Sequence, residues 1–327
     1  IEHQQAFLTY AMDNWLYSTV NAFRIRWTPK GVVRENTGFN RGQWGATQDN
    51  YGKMWFQGGA SGVPSYFQFP IYYGTFNVDD QLADGFRVPW GAPILLEDFQ
   101  PGMKAVRRPD GSVNQVTGAA GNDVFRGHRL PQNMVGQYFY GEPVARIVRQ
   151  VNPIVREGVT QLHNYYQEYK NEFLKSSDPL FRPVDIATAP DGTLYIADMY
   201  HGIIQEGQWV QPGSYLRAKI EQYHLDKIIG MGRIWRVRYE GIAPDEASPR
   251  MAEKASSDLV RDLWHPNGWW RDMAQQQLVL RRDTTVCELI DSLMLESTDR
   301  FGRFHAMWTL EGLDALSMET IGRLLED

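Results

Sequence analysis

A chain of 327 residues exceeds what one ordinary hydrophobic core supports, so two domains are the starting expectation. Its 43% hydrophobic and 22% charged residues are typical of a soluble globular protein, and a formal net charge of −6 argues against nucleic acid or an anionic membrane as the main partner. No apolar run reaches the roughly 18 residues of a membrane span. The single cysteine, Cys287, excludes an intrachain disulfide, a cysteine-based zinc cluster and a C-x-x-C-H haem attachment motif.

The chain begins at Ile1 and runs at once into strand-like sequence, which reads as a fragment whose front is missing. Up to about residue 240 one phrase recurs: a turn of Asp, Asn or Gly, then an aromatic or β-branched strand. Asp13-Asn14 leads into Trp15-Leu16-Tyr17-Ser18, and Asn50-Tyr51-Gly52 leads into Lys53-Met54-Trp55-Phe56. Gly136-Gln137 leads into Tyr138-Phe139-Tyr140, and Pro190-Asp191-Gly192 into Thr193-Leu194-Tyr195-Ile196-Ala197-Asp198. Asp-Gly favours a tight hairpin turn, and the residues after it favour a strand. Second strands are expected over 23–27, 145–150 and 233–239. The copies lie about 40 to 90 residues apart, within reach of propeller blades carrying insertions, with a β-sandwich as the alternative. Residues 75–118, rich in Gly, Pro and Asp, read as a long excursion. Within 207–230 the apolar spacing of Leu216, Ile220, Tyr223, Leu225 and Ile228 predicts a short helix.

After Gly241-Ile242-Ala243-Pro244 the pattern changes. Leu259, Leu263, Met273, Leu278, Leu280, Leu289, Leu293 and Leu295 fall at helical spacings, and 304–313 and 318–325 continue the series. Antiparallel helix pairs of this size read as HEAT-like repeats. The expected architecture is mainly β plus α: a partial β-propeller over 1–243, then a short HEAT-like α-solenoid over 248–327. Trp264, Trp269, Trp270 and Trp308 have helical spacing and apolar neighbours, which makes packing between repeats the expected role.

The segment from Phe181-Arg182-Pro183 through Pro190-Asp191-Gly192 to Ala197-Asp198 resembles the last blade of glucose/sorbosone dehydrogenase-like propellers. Together with Val124-Phe125-Arg126-Gly127-His128-Arg129-Leu130-Pro131, His265-Pro266-Asn267-Gly268-Trp269-Trp270-Arg271-Asp272 and His305-Ala306-Met307-Trp308, it makes nearly the whole chain similar to the membrane-bound dehydrogenase family of planctomycetes and verrucomicrobia. That family joins such a propeller to HEAT-like repeats and often to a c-type cytochrome domain. The resemblance implies an exported oxidoreductase, periplasmic or secreted and in some settings membrane-associated. It would act on a sugar or polyol and pass electrons to a haem domain outside this chain. The alternative is a non-catalytic scaffold that binds glycans or proteins.

The characterised relatives use pyrroloquinoline quinone and calcium. Carried over by position, the resemblance makes His3, ten residues before Asp13, the catalytic base, since a neutral imidazole can take the proton of a substrate hydroxyl. Arg41, twelve residues before Lys53, and Arg182, just ahead of Pro183, match cofactor-side arginines, whose guanidinium forks suit carboxylates. Asp198, at a strand end, is expected to point toward a central pocket. Glu142, in Glu142-Pro143-Val144-Ala145, falls where the relatives carry a cofactor-binding lysine. Asp185, Asp191 and Asp198 together would suggest calcium, although Asp191 reads better as a turn residue. No metal-ligand set is assigned. His128 and His201 lack ligand spacing and read as hydrogen-bonded loop residues.

Overall fold

The structure, a computed structural model, describes residues 5–37, 40, 42–58, 94–95, 112–113, 118–204, 207–246 and 248–326. Most of the excursion expected over 75–118 lies outside the described residues. Strands come first and helices second. β1 (Thr9–Tyr10), β2 (Leu16–Tyr17), β3 (Phe23–Thr28) and β4 (Gly31–Asn36) form an antiparallel sheet in that order. β5 (Ala46–Gln48) pairs with β6 (Met54–Phe56), and β7 (Ile94–Leu95) with β8 (Ser112–Val113). The largest sheet holds β9 (Ala120–Val124), β10 (Tyr138–Glu142), β11 (Ile147–Arg156), β12 (Val159–His163) and β13 (Leu174–Lys175). β14 (Pro183–Thr188), β15 (Leu194–Asp198) and β16 (Arg233–Val237) make the last one. None of the described sheets closes on itself.

One device builds three of the hairpin turns. Asp13, Asp49 and Asp191 each accept the backbone N–H two residues on, from Trp15, Tyr51 and Thr193. The other carboxylate oxygen then takes an aromatic donor from the following strand: Tyr17 Oη at 2.7 Å, Trp55 Nε1 at 3.2 Å and Tyr195 Oη at 3.1 Å. In two of the turns a strand arginine completes the set, Arg24 on Asp13 at 2.8 Å and Arg236 on Asp191 at 3.3 Å. An Asp side chain that bonds its own turn is the physical basis of three of the four copies of the sequence phrase, the copy at Gly136-Gln137 having no Asp.

The sheets other than β7–β8 pack in chain order. Ala11, Trp15 and Tyr17 pack with Ala46, Met54 and Phe56, while Phe125, Phe139 and Val148 pack with Ile186, Leu194 and Ile196. Asp123 of β9 ties three sheets together, accepting Thr47 Oγ1 at 2.9 Å from β5 and the Thr188 N–H and Oγ1, both at 2.6 Å, from β14. Burial pushes its carboxyl up to about 6, against the hydrogen bonds that favour the ionised form. Gly121 is required where these sheets meet: its φ is +64°, and a Cβ there would lie 2.3 Å from Asp185 Cα.

α1 (Tyr215–Tyr223), capped by Ser214, buries Leu216 and Ile220 of the expected apolar set but ends at His224, held at φ +52°, so Leu225 and Ile228 fall beyond it. The later helices are α2 (Ser256–Asp262), α3 (Gly268–Arg281), α4 (Cys287–Glu296), α5 (Arg300–Gly312) and α6 (Met318–Leu325). Asn267, Asp299 and Ser317 cap α3, α5 and α6 through their side chains. α3 packs on α2 and α5, and α4 packs on α5 and α6. The helical core is Leu259, Val260, Leu263, Trp270, Ala274, Leu278, Ile290, Met294, Ala306 and Leu310. Leu280 and Leu289, expected in the apolar stripe, are exposed: Leu280 stands two residues past buried Leu278, so it points about 200° around the helix. Among the described residues no helix is long and apolar enough to cross a membrane.

Candidate functional site

His3 and Arg41 lie outside the described residues. Of the other expected site residues, Arg182 and Asp198 meet. Pro183 pairs with Asp198 across β14 and β15, which places Arg182 at the strand mouth. The Arg182 N–H donates to Asp198 Oδ1 at 2.8 Å, and Met199 N–H returns a bond to the Arg182 carbonyl at 2.9 Å.

Both side chains are buried and committed to the fold. The Arg182 guanidinium donates through Nε to the His201 carbonyl at 2.9 Å, through Nη1 to the Pro143 carbonyl at 2.6 Å and through Nη2 to the Gly202 carbonyl at 3.0 Å. One fork therefore pins the loop after β15 to the corner after β10. Asp198 Oδ1 also accepts Tyr200 N–H at 2.9 Å, with Tyr200 held at φ +45°. Its Oδ2 accepts Arg233 Nη2 at 3.2 Å and Trp235 Nε1 at 3.0 Å from β16. Asp198, expected to point toward a central pocket, has its oxygens bonded to its own loop and the neighbouring strand.

Glu142 closes β10 and is fully buried. Both of its oxygens accept the Gly118 N–H, at 3.1 and 3.0 Å, and the next residue, Pro143, supplies a carbonyl to Arg182. Glu142, Arg182 and Asp198 thus lie along one chain of contacts. Asp191 is occupied by its turn, and Asp185 accepts its neighbour's N–H from Ile186 at 2.9 Å. Among the described residues no group of three or more His, Cys, Asp or Glu is arranged to hold a metal ion. His201 is hydrogen-bonded to the Ile203 carbonyl, and His128 Nε2 meets Asp245 Oδ2 at 3.0 Å at the edge of an open pocket of about 560 Å³.

Sequence reasoning missed a second polar constellation, where the sheet turns meet α3 and α5. Asn14, at φ +64° in the first turn, donates from Nδ2 to the Trp308 carbonyl at 2.7 Å and to Glu311 Oε2 at 2.8 Å. Its Oδ1 accepts Gln275 Nε2 at 2.8 Å, and Gln275 also donates to the Met12 carbonyl at 2.6 Å. Glu311 holds Arg26 of β3 at 2.6 Å. Arg271 reaches Asn50 of the second turn at 2.7 Å, and Arg126 forms a two-pronged pair with Asp272. Asn267 and Trp270 donate to the Ala189 and Pro190 carbonyls of the last turn, both at 2.8 Å.

His305 sits inside this seam with no exposed surface. Both Gln275 amide protons are spent on Asn14 and Met12, so Gln275 Oε1 must accept from His305 Nδ1, at 2.8 Å. The proton is therefore on Nδ1. Burial drives the imidazole pKa down to about 3, with Arg271 and Arg126 acting the same way and Asp272 opposing them. The signal for this seam was present as polar residues, Gln275 and His305, inside helices whose neighbours are apolar.

Two comparisons with known proteins bear on identity. No curated protein matches the chain. Residues 1–241 match the family described as a domain of unknown function, DUF7133, a span that takes in every described strand and α1 and ends before α2. The chain therefore belongs to the DUF7133 family.

Proposed function

We propose that the chain is a binding scaffold rather than a quinone-dependent sugar or polyol dehydrogenase, built as a partial β-propeller over about residues 1–243 carrying a short HEAT-like stack over about 248–327. The repeated Asp turn and the chain-order stacking of open sheets support the propeller reading. Helices that pack on near neighbours support the repeat reading.

The observation that carries the scaffold reading is the engagement of Arg182. A quinone carboxylate needs a free guanidinium or ammonium group. Arg182 already donates to the His201, Pro143 and Gly202 carbonyls, and Glu142 brings an acid to the position where the resembled enzymes carry a lysine. These residues do not fit the quinone. The dehydrogenase reading rests on His3 and Arg41, and an exported location goes with the same resemblance.

Titration of the full chain with pyrroloquinoline quinone and calcium, followed by absorbance, tests this reading. The scaffold predicts no saturable binding at micromolar quinone and no sugar-dependent reduction of a redox dye. Saturable binding that weakens in Arg182→Lys would overturn it.

A further inference from the structure

β4 is the outer strand of the first sheet, and all six of its residues are exposed. Thr37 N–H bonds to the Ala22 carbonyl at 2.9 Å, which makes 37, 35, 33 and 31 the positions whose backbone faces β3. Val32, Arg34 and Asn36 therefore turn their N–H and C=O groups away from the sheet. Such a row is a template for an added strand.

Beside this edge runs a groove of about 750 Å³ between the first sheet and the ends of α3 and α5, with Trp27, Val33 and Leu280 on its walls. These three are exposed by 53%, 42% and 49%, far above what a settled core would leave. Trp27 makes no ring contact among the described residues. Among the described residues, the charges at the edge without an ion pair are both positive. Lys30 lines the groove, and Arg34 lies 4.1 Å above the Phe23 ring; among the described residues neither has a carboxylate partner. The acids nearby each have an arginine partner: Glu311 pairs with Arg26, Asp314 with Arg282, and Glu35 with Arg24, which Asp13 shares.

We propose that β4 and this groove bind an extended acidic peptide segment of another protein, which adds a strand to β4, seats alternate apolar side chains against Val33 and Leu280 in the groove, and sets the carboxylates between them on Arg34 across the opposite face, beside Trp27, and on Lys30 at the turn. The added strand satisfies the outward backbone groups, and the charge selects the sequence. The inference rests on the scaffold reading and names its partner class, yet the two are tested apart. Quinone binding would end the scaffold reading, whereas absence of peptide binding would end this proposal alone.

Fluorescence anisotropy of the full chain with two labelled octapeptides provides the test, one alternating Val and Glu, the other alternating Val and Lys. Saturable binding of the Glu peptide is expected, with the Lys peptide at least tenfold weaker. Lys30→Glu combined with Arg34→Glu should reverse that preference, and both sites are exposed enough to leave folding intact. Val32→Pro removes one outward N–H without touching the β3 ladder and should weaken the Glu peptide at least tenfold. Equal binding of both peptides, or none of either, overturns the proposal. So does a dimer in sedimentation equilibrium that Val32→Pro dissolves, since the edge would then belong to a second copy of the chain.

Discussion

Asn14 and Glu311 meet at 2.8 Å although 297 positions separate them in sequence. Around that bond, turn ends of the first, second, fourth and fifth sheets are all fastened to α3 or α5. The fastening is polar and specific: Asn14 uses both of its amide N–H groups and its carbonyl oxygen within one buried corner.

Because Asn14 satisfies several groups at once, Asn14→Ala should destabilise the chain by about 1–3 kcal/mol, the cost of leaving buried partners unbonded. Glu311→Ala should cost a similar amount by freeing Asn14 and Arg26. A double-mutant cycle by urea denaturation should return a coupling of at least about 0.5 kcal/mol. Strict additivity would mean the two side chains do not hold the seam.

Trp270 and Trp308 should behave differently. Trp270 is 4% exposed, bonds the Pro190 carbonyl and stacks on His265, whereas Trp308 is half-buried. Trp270→Ala should cost about 3–5 kcal/mol, and Trp308→Ala clearly less. A reversed order in chemical denaturation would place the wrong indole in the seam.

His305 gives a pH prediction. Its folded pKa of about 3 lies below the 6.5 of an ordinary imidazole, so the unfolded chain takes up the proton more readily. The stability that goes with the neutral buried ring is complete above about pH 6.5 and is lost as pH falls through the window toward 3. Asp13 and Asp123, raised to about 6 by burial, push the other way between 6 and their ordinary 3.8, so the comparison must be made with a variant. The stability of the parent chain minus that of His305→Asn should fall steadily from pH 7 to pH 4, by as much as about 1.4 kcal/mol per unit. A difference that does not move with pH would contradict the neutral, buried assignment.

Gly121 and Gly136 both have positive φ, +64° and +83°, but only Gly121 has backbone within reach of a Cβ. Gly136→Ala should cost about 1–3 kcal/mol from the dihedral alone. Gly121→Ala should cost several kcal/mol more, because the contact with Asp185 forces two sheets apart. Equal thermal shifts would place the sheet junction elsewhere.

The turns at Asp13 and Asp191 were legible because their first bonds are local, two and four residues on, whereas the turn read at Asn50-Tyr51-Gly52 is built by Asp49 just before it. The strands after them followed, as did α1 and the helical pattern past 250. What was not legible depends on partners distant in sequence. β11 runs beyond the expected 150 to Arg156 because β12 pairs with its far half. Arg182 carries the residue type of a ligand-binding cation, yet its partners are main-chain carbonyls that no sequence pattern marks. Gln275 and His305 looked like ordinary members of amphipathic helices until the turns beneath them were in place.

The assignment of Arg182 as a brace is tested most directly by the unfolding free energy of Arg182→Lys against the parent chain in urea. One ammonium cannot reproduce a planar fork reaching three carbonyls in two loops. The brace predicts a loss of at least about 2 kcal/mol, from buried acceptors left without donors. Stability unchanged within error would contradict it, and would return Arg182 to the set of groups free to hold a ligand.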